Sequence, residues 1–357
     1  METRRLVLLM IFSLSLIMLW DNYQASIGKP TLFGLSTGAQ TSDKSDAAKA
    51  GNLPAGGSSA ANDLPQAVAP TAGDVPADPN AIAPSIAEAA PAAQTITVKT
   101  DVLELQFSSQ GAQLITSKLL NHPAAENPDL PVQLFEQTSN RTYVGQAGLV
   151  GVPDAPNHRT LFELVSGSTE FAPGQDQLKL VFKATSGGIE NTTTYTIFKN
   201  RYDIDLVINA RNTGVEPVSP SAYVQITRDG NPLESDSSLY ATFTGPAVYT
   251  PEKKYQKIDF EDIADRSADY VKTADSGWLA MIQHYFVSAI VGQDGPRENY
   301  TRQVDSNLYS IGLVSSLGTL APEQTATYTA KLYTGPQDQS VLEALSPGLD
   351  LVVDYGW

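Results

Sequence analysis

The sequence contains no cysteine. A chain without thiols has neither a disulfide framework nor a cysteine nucleophile, and it forms no cysteine-ligated zinc or iron–sulfur site. The absence fits a protein of an oxidising compartment. Many cytosolic proteins also lack cysteine, however, so this feature alone indicates little about location.

Basic residues are scarce as well. The chain has 23 lysines and arginines against 39 aspartates and glutamates, which gives a formal net charge of −16. A surface this acidic repels phosphate backbones, so we expect no nucleic-acid partner. Anionic lipid headgroups are poor partners for the soluble part for the same reason.

Histidine is rare, with only His122, His158 and His284. None of them stands at metal-ligand spacing from another histidine or a carboxylate motif, which favours ordinary core or surface histidines. We expect His122 in a loop before Pro123 and His284 inside an apolar strand. No nucleophile elbow, P-loop or dinucleotide fingerprint is present. The sequence therefore predicts no catalytic residue, no metal and no cofactor.

The sequence has only one long apolar run, at residues 6–20. Arg4 and Arg5 precede this run, and Trp20 is its last residue. Fifteen helical residues are short for a bilayer, as in a cleaved signal peptide. The closing tryptophan and the lack of an A-x-A cleavage pattern favour an uncleaved anchor over residues 1–23. Arg4 and Arg5 place its N-terminus in the cytoplasm, and the rest of the chain beyond the inner membrane.

Aromatic residues are absent from residues 34–94, where alanine, proline, glycine, serine, aspartate and threonine dominate. Such a segment buries too little apolar surface to offset its conformational entropy. We predict a disordered linker here.

Period-two alternation begins at residue 95 and predicts a strand over residues 95–107. Strongly β-prone runs recur between turn signals such as Ser186-Gly187-Gly188. They cover residues 178–183, 192–199, 202–209, 222–227, 281–291, 308–314 and 325–333. We predict a mainly β, large antiparallel sandwich over residues 95–349. Two short helices are expected near its C-terminus, at residues 260–267 and 338–345.

Several stretches, taken together, resemble the YidC-type membrane protein insertases of Gram-negative bacteria. The apolar run that ends at Trp20 is similar to the family's anchor, and residues 243–257 (FTGPAVYTPEKKYQK) are the most specific match. Others are residues 98–103 (VKTDVL), 277–286 (GWLAMIQHYF), 332–336 (LYTGP) and 349–357 (LDLVVDYGW). They follow one another in the family's order, whereas the linker is unmatched.

The resemblance implies a fold and a function. The family's periplasmic domain is a β-supersandwich related to sugar-mutarotase and carbohydrate-binding folds. Family members assist the insertion, folding and assembly of inner-membrane proteins, alone or with the Sec translocon, and work without catalysis. They continue into five further membrane helices, which carry the insertase groove, so residues 350–357 resemble a run into the next membrane segment. We therefore expect a fragment that cannot insert proteins by itself.

Two groups of residues are candidate sites. Tyr249, Lys253, Lys254, Tyr255 and Lys257 place aromatics among lysines in an acidic chain, which favours a partner-binding patch. The resemblance links this neighbourhood to the SecD and SecF accessory subunits, but a loop with packed tyrosines and solvated lysines is an equal interpretation.

The second candidate is a membrane-proximal helix with Val341, Leu342 and Leu345 at helical spacing. We predict that such a helix contacts the bilayer or the membrane domain. The alternative function for the whole chain is a membrane-tethered sandwich that binds or epimerises sugars, since the implied fold is shared with such proteins.

Overall fold

A computed structural model describes residues 64–67, 92–125, 127–232 and 243–353. The predicted anchor, with Arg4, Arg5 and Trp20, lies outside these residues, as do most of the predicted linker and residues 354–357. In the part of the chain that is described, no helix combines the length and the apolar character needed to cross a bilayer.

Nineteen strands and two short helices make up the described fold. The strands are β1 (Thr95–Lys99), β2 (Leu103–Ser108), β3 (Gln113–Pro123), β4 (Pro131–Gln133), β5 (Glu136–Gln137), β6 (Thr142–Val150), β7 (Glu163–Gly167), β8 (Gln177–Ser186), β9 (Ile189–Phe198), β10 (Asp203–Asn212), β11 (Ser221–Asp229), β12 (Gly245–Thr250), β13 (Lys254–Lys257), β14 (Thr273–Ala274), β15 (Trp278–Gln283), β16 (Phe286–Gly292), β17 (Arg297–Asp305), β18 (Leu308–Ser316) and β19 (Thr325–Pro336). The helices are α1 (Phe260–Ala264) and α2 (Gln339–Leu345), and a 3-10 helix follows at Leu349–Val352.

The strands form two sheets in which every pairing is antiparallel. The ten-stranded sheet runs β1-β2-β3-β6-β11-β18-β17-β14, with β4 paired to β3 and β5 to β6. The nine-stranded sheet runs β13-β12-β15-β16-β19-β10-β9-β8-β7. The predicted mainly β antiparallel sandwich is confirmed.

The inner faces of the two sheets share one apolar core. Phe107 of β2 meets the opposite sheet at Tyr195 of β9, with ring centroids 4.7 Å apart, and at Phe182 of β8, 6.4 Å away. The Tyr195 hydroxyl donates to the carbonyl of Ala112 at 2.8 Å, so this buried hydroxyl has a hydrogen-bond partner on the other side of the core. These contacts hold the sheets face to face.

Turn chemistry explains where the predicted strands end. Gly187 and Gly188 join β8 to β9 with φ of 59° and 72°, the left-handed conformation that a tight hairpin requires. Two predicted single strands are instead hairpins. Residues 95–107 divide at Thr100, whose hydroxyl accepts from the amides of Val102 and Leu103 at 3.1 and 2.8 Å.

The second divided strand is residues 281–291, which turn back between β15 and β16. Tyr285 adopts a φ of 63° at this turn. The turn contains no glycine from which the sequence would predict it. The predicted position of His284 inside a strand is therefore wrong, because His284 lies in the turn. His122, expected in a loop, lies near the end of β3.

Both predicted helices are present. The helix expected over residues 260–267 ends earlier, at Ala264, and buries Ile263. The helix expected over residues 338–345 begins at Gln339, because Asp338 is its N-cap and accepts from the amides of Ser340 and Val341 at 3.0 and 3.2 Å.

Candidate functional site

The β12–β13 hairpin carries the predicted partner-binding residues and lies at one edge of the nine-stranded sheet. Tyr249 stacks on the buried Trp278 of β15, with centroids 5.5 Å apart and ring planes within 7°. Tyr255 packs on the same indole at 5.9 Å. The two tyrosines are therefore bound to the sheet and are only partly accessible to a partner.

The hairpin's lysines have the opposite environment. Lys253, Lys254 and Lys257 are exposed, and the Lys257 ammonium lies 4.9 Å from the ring centroid of Phe243. Lys254 has a φ of 58° at the start of β13. The structure thus brings the five predicted residues together on one hairpin, with tyrosines packed inward and lysines in solvent.

The C-terminal tail covers the sheet beside this hairpin. Leu342 of α2 and Leu349 and Val352 of the 3-10 helix are buried in one cluster with Trp278. A Cβ at Gly348 would lie 2.5 Å from Cε2 of Tyr249, so only glycine permits this approach, and its φ of 75° favours glycine as well. We call the hairpin and residues 337–353 together the hairpin–tail surface.

The predicted membrane-proximal residues have unequal exposure. Leu342 is 0% exposed and Leu345 is partly buried against the same cluster, so both face the sheet. Val341 is 39% exposed and Leu351 of the 3-10 helix is 47% exposed. The residues of the tail that can meet another surface are therefore Val341, which the sequence singled out, and Leu351, which it did not.

A second candidate lies on the outer face of the ten-stranded sheet, where a ladder of buried amides crosses the strands. Each side chain in it donates to the next: Tyr300 to Gln225 at 2.6 Å, Gln225 to Gln146 at 2.6 Å, Gln146 to Gln113 at 2.8 Å, and Gln113 to the backbone carbonyl of His158 at 2.9 Å. We call these residues the polar ladder. Buried amides cost little when every donor has an acceptor, as here.

A glycine allows the hydrogen bond between Tyr300 and Gln225 to form. Tyr300 is on β17 and must reach across β18 to Gln225 of β11, and a Cβ at Gly312 would lie 2.5 Å from the Tyr300 hydroxyl. Burial raises the pKa of Tyr300, so the hydroxyl stays protonated and remains a donor.

His158 closes the ladder at its other end. Its Nδ1 lies 2.6 Å from the hydroxyl of Tyr223, and its side chain is only 3% exposed. Burial, together with the nearby positive charge of Arg302, lowers the pKa of His158 to about 4. The imidazole is therefore neutral at physiological pH and closed off from solvent, which suits a packing role better than proton transfer.

A cavity of about 1100 Å³ opens beside the ladder. It is lined by α1 and the loop after it, by β14 and β17, and by residues 64–66. Its lining includes three cationic side chains, Arg266, Lys272 and Arg302, and a single carboxylate, that of Glu298. The cavity is therefore positively charged, whereas the chain as a whole is negatively charged. None of the three histidines lines it.

The described residues contain no group of three or more histidine, aspartate or glutamate side chains that could hold a metal. The ladder and the cavity were not predicted from the sequence. A usable signal exists in β11, where Tyr223, Gln225 and Thr227 alternate with apolar residues and mark one polar face.

Comparison with known proteins gives consistent results. The YidC periplasmic domain profile matches residues 95–357. The chain is 46% identical over 367 residues to the membrane protein insertase YidC of Bordetella petrii and 42% identical over 360 residues to that of Cupriavidus metallidurans. Both alignments cover 100% of this chain and 62% of the relative, so the chain spans less than two thirds of their length.

Solved structures resemble the sandwich more distantly. A galactose mutarotase-like protein from Lactobacillus casei aligns with 68% of this chain and all of its own, at a TM-score of 0.46 and 8% identity. A galactose mutarotase related enzyme from Lactobacillus acidophilus aligns with 68% of this chain and 97% of its own, at 0.43 and 8%. At this level the likeness concerns the fold alone.

Proposed function

The chain belongs to the family of YidC membrane protein insertases, and from this premise we propose that it is the N-terminal part of such an insertase. The full protein would assist the insertion, folding and assembly of nascent inner-membrane proteins, alone or with the Sec translocon. One observation carries the proposal: the relationship covers the entire chain at 42–46% identity, beyond the β domain.

The proposed placement follows from the sequence. Residues 1–23 would form an uncleaved anchor in the inner membrane of a bacterium, with Arg4 and Arg5 in the cytoplasm and the sandwich in the periplasm. Residues 350–357 would lead into the next membrane segment. N-terminal sequencing of membrane-extracted protein is expected to begin at the natural N-terminus, and a start near Ser26 would contradict the anchor.

The proposed partners of the hairpin–tail surface are the Sec translocon and its SecD and SecF subunits. Lys253, Lys254 and Lys257 project from a hairpin whose tyrosines are fixed on Trp278, so their charges are held in one place. In a chain with net charge −16, a fixed basic site favours an acidic partner surface.

The tail is proposed to face the membrane part of the full protein. Val341 and Leu351 are its exposed apolar residues, whereas Leu342 and Leu345 attach it to the sandwich. A tail attached on one side and apolar on the other would fix how the sandwich stands above the bilayer.

We assign no catalytic step and no cofactor to this chain. The alternative, a sugar-binding or sugar-epimerising sandwich, would need a general acid and base facing one cleft. His158 is buried, and none of the three histidines lines the cavity. The relation of the domain to the mutarotase and carbohydrate-binding supersandwiches therefore extends, in our proposal, to architecture only.

The test is complementation of cells depleted of their own YidC insertase. The full-length protein that carries residues 1–357 should restore growth and the insertion of a reporter inner-membrane protein, and residues 1–357 alone should not. Mutarotation of galactose by the purified chain, or rescue by residues 1–357 alone, would contradict the proposal.

A further inference from the structure

Residues 64–67 lie on the ten-stranded sheet, although they belong to the long segment that the composition predicts to be disordered. Leu64 and Ala67 pack on a small cluster of Val150, Tyr223 and Val314. Three strands, β6, β11 and β18, contribute to this cluster. The contact joins a linker segment to the centre of a sheet that begins almost thirty residues later, at about residue 95.

The four residues fit this site chemically. Pro65 is buried, has no amide hydrogen to satisfy and favours an extended conformation at the preceding Leu64. The carbonyl of Leu64 accepts a hydrogen bond from Nη1 of Arg302. Gln66 is the exposed residue of the four, so the polar side chain faces solvent and the apolar ones face the sheet.

The sheet is shaped for a small residue at the far end of the segment. A Cβ built on Gly151 would lie 3.0 Å from the Cβ of Ala67. Ala67 therefore sits directly over Gly151, with its methyl group close to the space that a side chain at position 151 would enter.

We infer that residues 64–67 are a docking motif that binds the outer face of the ten-stranded sheet in cis and divides the linker into two shorter tethers. Leu64, Pro65 and Gln66 also form part of the cavity wall, so the docked segment narrows access to the basic side chains inside. With the anchor placed at residues 1–23, which rests on the proposed function, the tether that the anchor leaves free is about 40 residues and spans about 35 Å.

Cysteine pairs give a direct test, because the natural chain has no cysteine to compete. In the full chain, Ala67→Cys with Gly151→Cys starts from a Cβ–Cβ distance of 3.0 Å, so a shift of about 0.8 Å reaches the separation of about 3.8 Å that a disulfide adopts. The φ of 89° at Gly151 strains a cysteine there equally in the test pair and in the control pair. The matched control is Ala55→Cys with Gly151→Cys. An undocked linker makes the two pairs close at rates within about twofold of each other, because effective concentration falls only slowly with tether length.

We expect the 67–151 pair to form its disulfide under limiting oxidant at least about tenfold faster than the 55–151 pair, since docking raises the local concentration of the two thiols. Leu64→Asp in the 67–151 background should reduce the rate to that of the control pair. Leu53→Asp, the same change in the other Leu-Pro pair of the linker, should leave it unchanged.

Equal rates for the two cysteine pairs would overturn the inference. A fast 67–151 pair that ignores Leu64→Asp would overturn it too, because the apolar contact would then not hold the segment. Both results can be obtained in the purified chain without any insertion assay, so they are independent of the proposed function.

Discussion

In the polar ladder, side chains of different strands hydrogen-bond to one another. Each of its hydrogen bonds contributes only about 1 kcal/mol net, but removal of one partner leaves a buried amide unpaired at a cost of about 1–3 kcal/mol. Gln225 lies in the middle, bonded to both Tyr300 and Gln146. Substitution of Gln225 would therefore take the acceptor from the Tyr300 hydroxyl and a donor from the Gln146 side-chain oxygen.

His158 gives the stability of the domain a pH dependence. Its folded pKa of about 4 lies below the ordinary value of 6.5. Between these values the unfolded chain binds a proton that the folded chain does not, so the free energy of unfolding falls as the pH falls from about 6.5 to about 4. The full effect is on the order of 3 kcal/mol.

Urea unfolding of the natural protein and of His158→Asn, at pH 7 and pH 4.5, checks this prediction. Asparagine retains a polar contact for the Tyr223 hydroxyl but does not titrate, so the variant should lose much less stability between the two pH values. His284→Asn is the control, because His284 lies in the partly exposed turn between β15 and β16. An unchanged slope in His158→Asn would show that other groups cause the pH dependence.

At the scale of elements, the hairpin and the tail form one unit on the nine-stranded sheet. Leu342 is fully buried in their shared cluster, whereas its neighbour Val341 is 39% exposed. Leu342→Ala should lower the free energy of unfolding by about 2–5 kcal/mol, because it leaves a cavity above Trp278. Val341→Ala, in the same helix, should change it by less than about 0.5 kcal/mol. Equal effects in chemical denaturation would mean that the tail is detached in solution.

The hairpin's lysines give a prediction about partners. The triple variant Lys253→Glu, Lys254→Glu, Lys257→Glu should weaken co-purification with Sec accessory subunits and leave the melting temperature nearly unchanged, since exposed charges contribute little to stability. A control variant changes the exposed Lys99, Lys179 and Lys272 to glutamate and adds the same charge. If both variants retain the subunits equally, the alternative interpretation is favoured, in which the hairpin lysines are solvated and bind no partner.

How far the sequence predicts these elements depends on how strongly each strand shows in the local residue pattern. Residues 192–199 and 325–333 were found because one face is apolar and the other polar. Residues 142–150 and 245–250 show a weaker strand signal because glycine and proline interrupt them, at Gly145, Gly148, Gly245 and Pro246. Residues 297–305 were missed because β17 presents polar side chains to the cavity.

The candidate site was likewise predictable only where the local sequence carries a signal. Sequence similarity identified the hairpin, but the division of its residues into packed tyrosines and exposed lysines depends on Trp278, which lies more than twenty residues further along the chain. The polar ladder joins side chains from β3, β6, β11 and β17. No local pattern encodes a set of contacts that only the sheet order brings together.

At the scale of the whole molecule, orientation of the sandwich should depend on the tail. In the full-length protein, Val341→Glu with Leu351→Glu changes its exposed apolar residues without disturbing Leu342 or the core. We expect this variant to support less growth in the depletion–complementation assay than Val165→Glu with Val215→Glu, which alters exposed valines elsewhere on the sandwich.

Deletions extend the same comparison to larger parts of the protein. Loss of residues 337–349 should impair insertion more than loss of residues 95–320, because a linker of the kind predicted for residues 34–94 would transmit almost no orientation to the sandwich. If the larger deletion abolishes growth while the smaller one supports it, the sandwich itself is the working part and the tail is not.

The central position of β19 has a consequence for the order in which the domain is completed. β19 pairs with β16 on one side and β10 on the other, so it joins the two halves of the nine-stranded sheet. Among the described strands, it is also the one that comes last in the chain, at Thr325–Pro336. In the proposed export to the periplasm, the chain would therefore hold β7–β10 and β12–β16 as two separate, open-edged pieces. These pieces would be exposed to mispairing until nearly all of the domain has crossed the membrane.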